Sequence, residues 1–158
     1  ADNIFCLSQM QTPILLQKLQ NNNCYFTQML MKDFKKYYIL PAPPDEVYKA
    51  LTNPALIQLW TGEPAEMSTV PNSEFSMWSG SIVGKNLAFE ENKKIEQQWY
   101  FGEQETPSVV SIKLHADKKG TSVELRHTNI PDEVFEEFST GWDDSYFDAL
   151  QDFYDEED

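Results

Sequence analysis

Apolar side chains along this chain recur first at period two and later at helical period, and the change marks where a sheet gives way to a helix. The helical run is the clearest. Phe135, Phe138, Trp142, Tyr146, Leu150 and Phe153 follow one another in steps of three and four, the spacing of one helical face. Glu136, Glu137, Asp143, Asp144, Asp148 and Asp152 fill the opposite side, so the helix must lay an aromatic stripe on something apolar and keep the acids in water. Pro131 and Asp132 suit its start, and Glu133, Glu136 and Glu137 complement the positive end of its dipole. Gly141 interrupts the run and signals a bend or a close approach. Asp155 to Asp158 oppose the dipole at the far end, which predicts fraying beyond Tyr154.

From Ala65 to Ile130 short apolar alternations are separated by turn signals at Pro71-Asn72-Ser73, Ser79-Gly80, Glu91-Asn92, Gly102 to Pro107 and Asp117 to Gly120, as in an antiparallel sheet. Alternation assigns an inward face: Phe75 and Met77; Ile95, Gln97, Trp99 and Phe101; Val110, Ile112 and Leu114; Val123, Leu125 and His127. A sheet with one greasy face needs a cover, and the C-terminal helix is the candidate. Upstream, Lys36 to Leu40 reads as a strand. Pro44 opens a helix that packs through Val47, Tyr48 and Leu51, and a second short helix, Pro54 to Trp60, buries Leu56, Leu59 and Trp60 before Gly62.

Residues 1–30 differ from the rest. They carry two charges, Asp2 and Lys18, and nine Asn or Gln. This break predicts an N-terminal extension over 1–30, either disordered or a short helix from Pro13 to Gln20, and a domain over 31–158. The alternative is an arm packed on the domain through Ile14, Leu15, Leu16 and Leu19. The net charge of −14 argues against a nucleic-acid backbone as partner and against anionic membrane surfaces, and no apolar run is long enough to span a bilayer. Cys6 and Cys24 have no metal-site spacing, and a reducing cytoplasm is the simpler setting.

The stretches EVYKALTNPALIQLW, EFSMWSGSIVGKNLAFEENKKIEQQWYF, GTSVELRHTNIP and GWDDSYFDALQDF resemble the C-terminal domain of the activator of heat-shock protein 90 ATPase, a member of the START-like, helix-grip superfamily. The resemblance covers about residues 36 to 154. It implies an α+β helix-grip fold in which an antiparallel sheet of about seven strands wraps around a long C-terminal helix, with two short helices after the first strand. Asn72-Ser73 replaces a glycine pair frequent in the family and implies a different turn. The family's other domain, which precedes this one in the eukaryotic co-chaperone, has no counterpart here, so stimulation of the chaperone ATPase is not expected.

Candidate chemistry is sparse. There is no phosphate-binding glycine loop, dinucleotide fingerprint or metal-ligand cluster, so no cofactor, metal or catalytic residue is expected and a binding module is favoured over an enzyme. By alternation His115 points outward and His127 inward, His127 being either a satisfied core imidazole or a ligand-orienting group. The helix-grip arrangement would gather Trp60, Phe75, Met77, Gln97, Trp99, Phe101, Leu114, His127, Phe138 and Trp142 around a greasy pocket, with His127 and Gln97 orienting a small apolar or amphipathic ligand. The competing expectation is an interaction module making weak, salt-sensitive contact with a heat-shock protein 90 homologue through acids such as Asp143, Asp144 and Asp148.

Overall fold

The computed structural model describes residues 31–102 and 106–157. The expected N-terminal helix and the 1–30 extension lie outside the described residues. Strand β1 spans Met31–Leu40, beginning five residues earlier than the Tyr/Ile-rich run suggests. Helix α1 (Pro44–Thr52) follows, with Pro44 in its first turn, and buries Val47, Tyr48, Ala50 and Leu51. Asn53 ends α1 and caps α2 (Pro54–Thr61), its Oδ1 accepting from the Ala55 N–H at 2.9 Å. Helix α2 buries Ile57 and Trp60. The expectation that Leu59 is buried fails: Leu59 is 66% exposed, because the sheet side of this two-turn helix runs through Ile57 and Trp60 at i, i+3.

The remaining strands are β2 (Glu74–Met77), β3 (Ile82–Glu90), β4 (Lys94–Trp99), β5 (Ser108–Asp117) and β6 (Gly120–Pro131). They run as consecutive antiparallel neighbours, and the sheet order is β1-β6-β5-β4-β3-β2. Six strands are present among the described residues where about seven were expected. The segment after Pro64 makes an isolated bridge, Glu66 to Ser76, and no strand of its own. Asn72 takes φ 71° in the turn before β2, a left-handed conformation that asparagine tolerates better than most residues, so it can stand where the family often has glycine. Within β3 Gly84 is obligatory, because a Cβ there would meet the Gln98 carbonyl and lie 2.8 Å from the Phe75 ring.

The inward residues are those the alternation names. Phe75, Met77, Ile95, Gln97, Trp99, Val110, Ile112, Leu114, Val123, Leu125 and His127 are buried, and Phe101 is half-buried.

The C-terminal helix covers that face in three parts: α3 (Asp132–Gly141), a π-helical segment (Trp142–Phe147) and α4 (Asp148–Glu157). The π segment adds a residue to one turn and rotates everything after it. Trp142, Tyr146 and Leu150 of the expected stripe are buried; Phe147 and Tyr154 join them, while Phe153 is only partly buried. The helix continues to Glu157, past the point where fraying was expected. Gly141 makes no close approach, since a Cβ there would meet nothing within 4 Å.

Candidate functional site

A cleft of about 320 Å³ opens between the first half of the C-terminal helix and the β3–β4 side of the sheet. Helix residues Phe138, Gly141, Trp142 and Tyr146 form one wall; Trp78, Ile82 and Trp99 form the other. Ser81, Ser145, Glu63 and Glu137 complete the lining. The size falls at the small end of the range for ligand pockets. Of the residues singled out from the sequence, Trp99, Phe138 and Trp142 line it. Trp60, Phe75, Met77, Phe101 and Leu114 lie in the hydrophobic core or packed on its edge instead.

The ring stack at the cleft is tight. Trp99 and Trp142 lie nearly parallel with centroids 4.8 Å apart, and Phe138 meets Trp99 edge-on at 6.2 Å. Tyr146 sits 4.6 Å from Trp142, 5.0 Å from Trp60 and 6.0 Å from Trp78.

Two internal hydrogen-bond chains take up the indole donors. Trp142 Nε1–H donates to His127 Nδ1 at 3.0 Å. Because an indole can only donate, neutral His127 carries its proton on Nε2, which faces Ser108 Oγ at 2.9 Å; that hydroxyl donates onward to the Thr128 carbonyl at 3.0 Å. The chain has one direction throughout. Burial pushes the His127 imidazole down to about 3, so it is neutral at ordinary pH. In the second chain Trp99 Nε1–H donates to Gln97 Oε1 at 3.1 Å, and Gln97 Nε2 donates to Asn86 Oδ1 at 3.0 Å. Asn86 Nδ2 in turn reaches the Ser68 carbonyl at 3.1 Å. His127 and Gln97 are thus spent behind the aromatic wall, and neither lines the cleft.

Two other lining residues stand out. The Tyr146 side chain is 5% exposed, yet its hydroxyl has no hydrogen-bond partner among the described residues. Burial raises its pKa above the usual phenol range, keeping it protonated. A buried hydroxyl without a partner is uncommon and costs roughly 1–3 kcal/mol. Trp78 is the second departure: its φ is 51°, followed by Ser79 at 54° and Gly80 at 95°. A bulky aromatic at positive φ is a strained conformation, and such strain clusters at functional sites. Strict alternation after Phe75 and Met77 would turn Trp78 away from the core. The left-handed turn swings it back over the cleft, where it meets Trp60 edge-on at 5.8 Å. Sequence reasoning missed Trp78, Tyr146, Glu63, Glu137 and the smaller lining residues as site residues; the local signals were the Trp-Ser-Gly turn for Trp78 and the helical stripe for Tyr146.

On the outer side of the helix, Asp143 Oδ1 accepts from Lys36 Nζ at 2.8 Å and from Tyr38 Oη at 2.7 Å. These bonds, led by that from Lys36, hold its carboxyl below the usual range. They tie β1 to the helix, and Tyr38 stacks on Phe147 at 3.9 Å. Asp143 is therefore committed within the domain, whereas Asp144 and Asp148 are exposed.

Residues 41–155 match the family described as activator of Hsp90 ATPase homolog 1-like protein. The chain belongs to that family. An uncharacterized protein of Schizosaccharomyces pombe is 33% identical over 94 residues, which is 60% of this chain and 28% of that protein. The activator of 90 kDa heat shock protein ATPase homolog 1 of Mus musculus is 27% identical over 110 residues, 68% of this chain and 32% of its own. This chain thus spans a third or less of the curated relatives it matches. Among solved structures, an HSP90 activator from Plasmodium falciparum superposes with a TM-score of 0.71 at 24% identity, covering 79% of this chain and 96% of that one. This likeness concerns the fold. Among the described residues no helix is long and apolar enough to cross a membrane.

Proposed function

We propose that this activator-family domain binds a small apolar or amphipathic molecule in the cleft between its C-terminal helix and sheet. One observation carries the reading: an aromatic-walled cleft of about 320 Å³ is lined by Tyr146, a buried residue whose hydroxyl the described residues leave unpartnered. A ligand with a ring or short acyl body would bury apolar surface against Trp99, Trp142 and Phe138, and a polar atom on it would satisfy Tyr146. Orientation falls to Tyr146 and not to His127 or Gln97, whose polar ends are already bonded.

Gly141 offers a clean test. It lies in regular helix with open space where a Cβ would go, so Gly141→Leu adds a side chain to the cleft without a clash in the core. Replacing a helix-interior glycine gains up to about 1 kcal/mol of helix propensity. Titration with 3-phenylpropan-1-ol, followed by tryptophan emission, should saturate for the natural chain. Gly141→Leu should abolish the response while its melting temperature holds or rises. Absence of saturable binding, or binding unchanged by Gly141→Leu, overturns the proposal.

A second reading is favoured by the family's own description and by a relative that bears the name of an activator of 90 kDa heat shock protein ATPase. Contact with a homologue of that chaperone would use exposed acids such as Asp144 and Asp148. It should be weak and should fade as salt is raised. Tight, salt-indifferent binding would point instead to an apolar contact.

A further inference from the structure

The charge pattern of the cleft narrows its ligand class. Every titratable side chain in the lining is an acid or a phenol: Glu63 follows α2, Glu137 lies on α3, and Tyr146 lies on the π segment. No lysine, arginine or histidine lines it. Glu63 and Glu137 are exposed, and neither carboxylate has an ion-pair or hydrogen-bond partner among the described residues. The indole N–H groups of Trp99 and Trp142 are consumed by Gln97 and His127, so the donors left in the lining, on Trp78, Ser81, Ser145 and Tyr146, are all uncharged. Aromatic π-systems attract cations at their faces. The chain's net charge of −14 adds a field of the same sign around the mouth.

We propose that the cleft selects amphipathic cations: an aryl or alkyl body enters between the helix and Trp78, and an ammonium group stays at the mouth with Glu63 and Glu137. This rests on the reading that the cleft binds a small molecule. It runs against the carboxylate-headed acyl chains that a greasy cavity alone would suggest, since a carboxylate would face two like charges and find no cationic partner.

Three probes that share one body separate the two readings: 3-phenylpropylammonium, 3-phenylpropan-1-ol and 3-phenylpropanoate, titrated at neutral pH and low ionic strength. The ammonium should bind roughly tenfold more tightly than the alcohol, in line with two exposed ion pairs and a cation–π contact, and the carboxylate should bind most weakly. The Glu63→Gln, Glu137→Gln double variant should bring ammonium and alcohol to within about twofold of each other; both residues are exposed, so folding should be unaffected. Added salt should weaken only the ammonium. If the alcohol binds and Gly141→Leu blocks it, yet the ammonium has no advantage, the cation proposal fails and the binding site stands. If no probe binds, both fail. An ammonium preference that survives the double variant assigns the charge selection elsewhere and also overturns the proposal.

Discussion

The two halves of the C-terminal helix share one amphipathic pattern and have opposite fates. Helix α3 has no fully buried residue, whereas the π segment buries Trp142, Tyr146 and Phe147 within one turn. Beyond it, Leu150 and Tyr154 are sealed, and the Tyr154 hydroxyl reaches the Glu46 carbonyl at 3.4 Å. In the second half every turn meets a partner, from Tyr38 stacked on Phe147 to α1 beneath Tyr154. In the first half Phe138 touches Trp99 and Phe101 but remains half-buried, and the cleft opens beside it. A greasy stripe on a helix therefore does not by itself specify a closed core. Closure also requires a neighbour at each turn, and beside Gly141 nothing fills the space.

Truncation at the junction should cost most. Trp142→Ala removes a buried indole and deprives His127 of its donor, so chemical denaturation should show a loss of about 3–5 kcal/mol. A loss below about 1 kcal/mol would place Trp142 with the loosely packed half.

His127 comes next. His127→Leu leaves Trp142 Nε1–H and the Ser108 hydroxyl short of a partner, and should lower stability by about 2–3 kcal/mol. The natural imidazole also gives a pH signature. Its folded pKa lies near 3, below the ordinary 6.5, so between those values the unfolded chain binds the extra proton. Its contribution to stability is complete above about pH 6.5 and falls as pH drops toward 3, with a limiting slope of about 1.4 kcal/mol per pH unit. In His127→Leu that part of the slope should vanish; an unchanged profile would show that other groups govern acid unfolding.

Phe138→Ala measures the open half directly. Because the ring is half-buried, the loss should be about 1–2 kcal/mol, well below that of Trp142→Ala. Equal losses would mean that the two halves are packed alike.

The smallest effect is the most diagnostic. Tyr146→Phe deletes a buried hydroxyl without a partner among the described residues, so stability should hold or rise by about 1 kcal/mol. A loss above about 1 kcal/mol would show that the hydroxyl is bonded in solution, and would close the comparison in favour of a uniform core.

Much of the architecture follows from local rules that the sequence displays openly. Period-two alternation named the inward set from Phe75 to His127, because a strand's side chains have no choice but to alternate. The helical period likewise placed Trp142 and Leu150 inside, and the matched stretches led to the family. Other features depended on partners distant in sequence. Leu59 is exposed although it sits in an apolar run, since only the packed fold decides which side of a two-turn helix meets the sheet. A π turn moved the buried stripe from Phe153 to Phe147 and Tyr154, which no 3.6-residue count can foresee. His127 and Gln97 looked like the polar groups of a pocket because they are polar and inward. Three-dimensional neighbours, Trp142, Ser108, Trp99 and Asn86, consume them instead. The cleft is instead lined by Tyr146, a stripe residue, and by Trp78, which reaches it through a left-handed turn. Periodicity along the chain names most of the inward side chains; the exceptions, and which inward groups are satisfied or border open space, were decided by contacts between elements far apart in the chain.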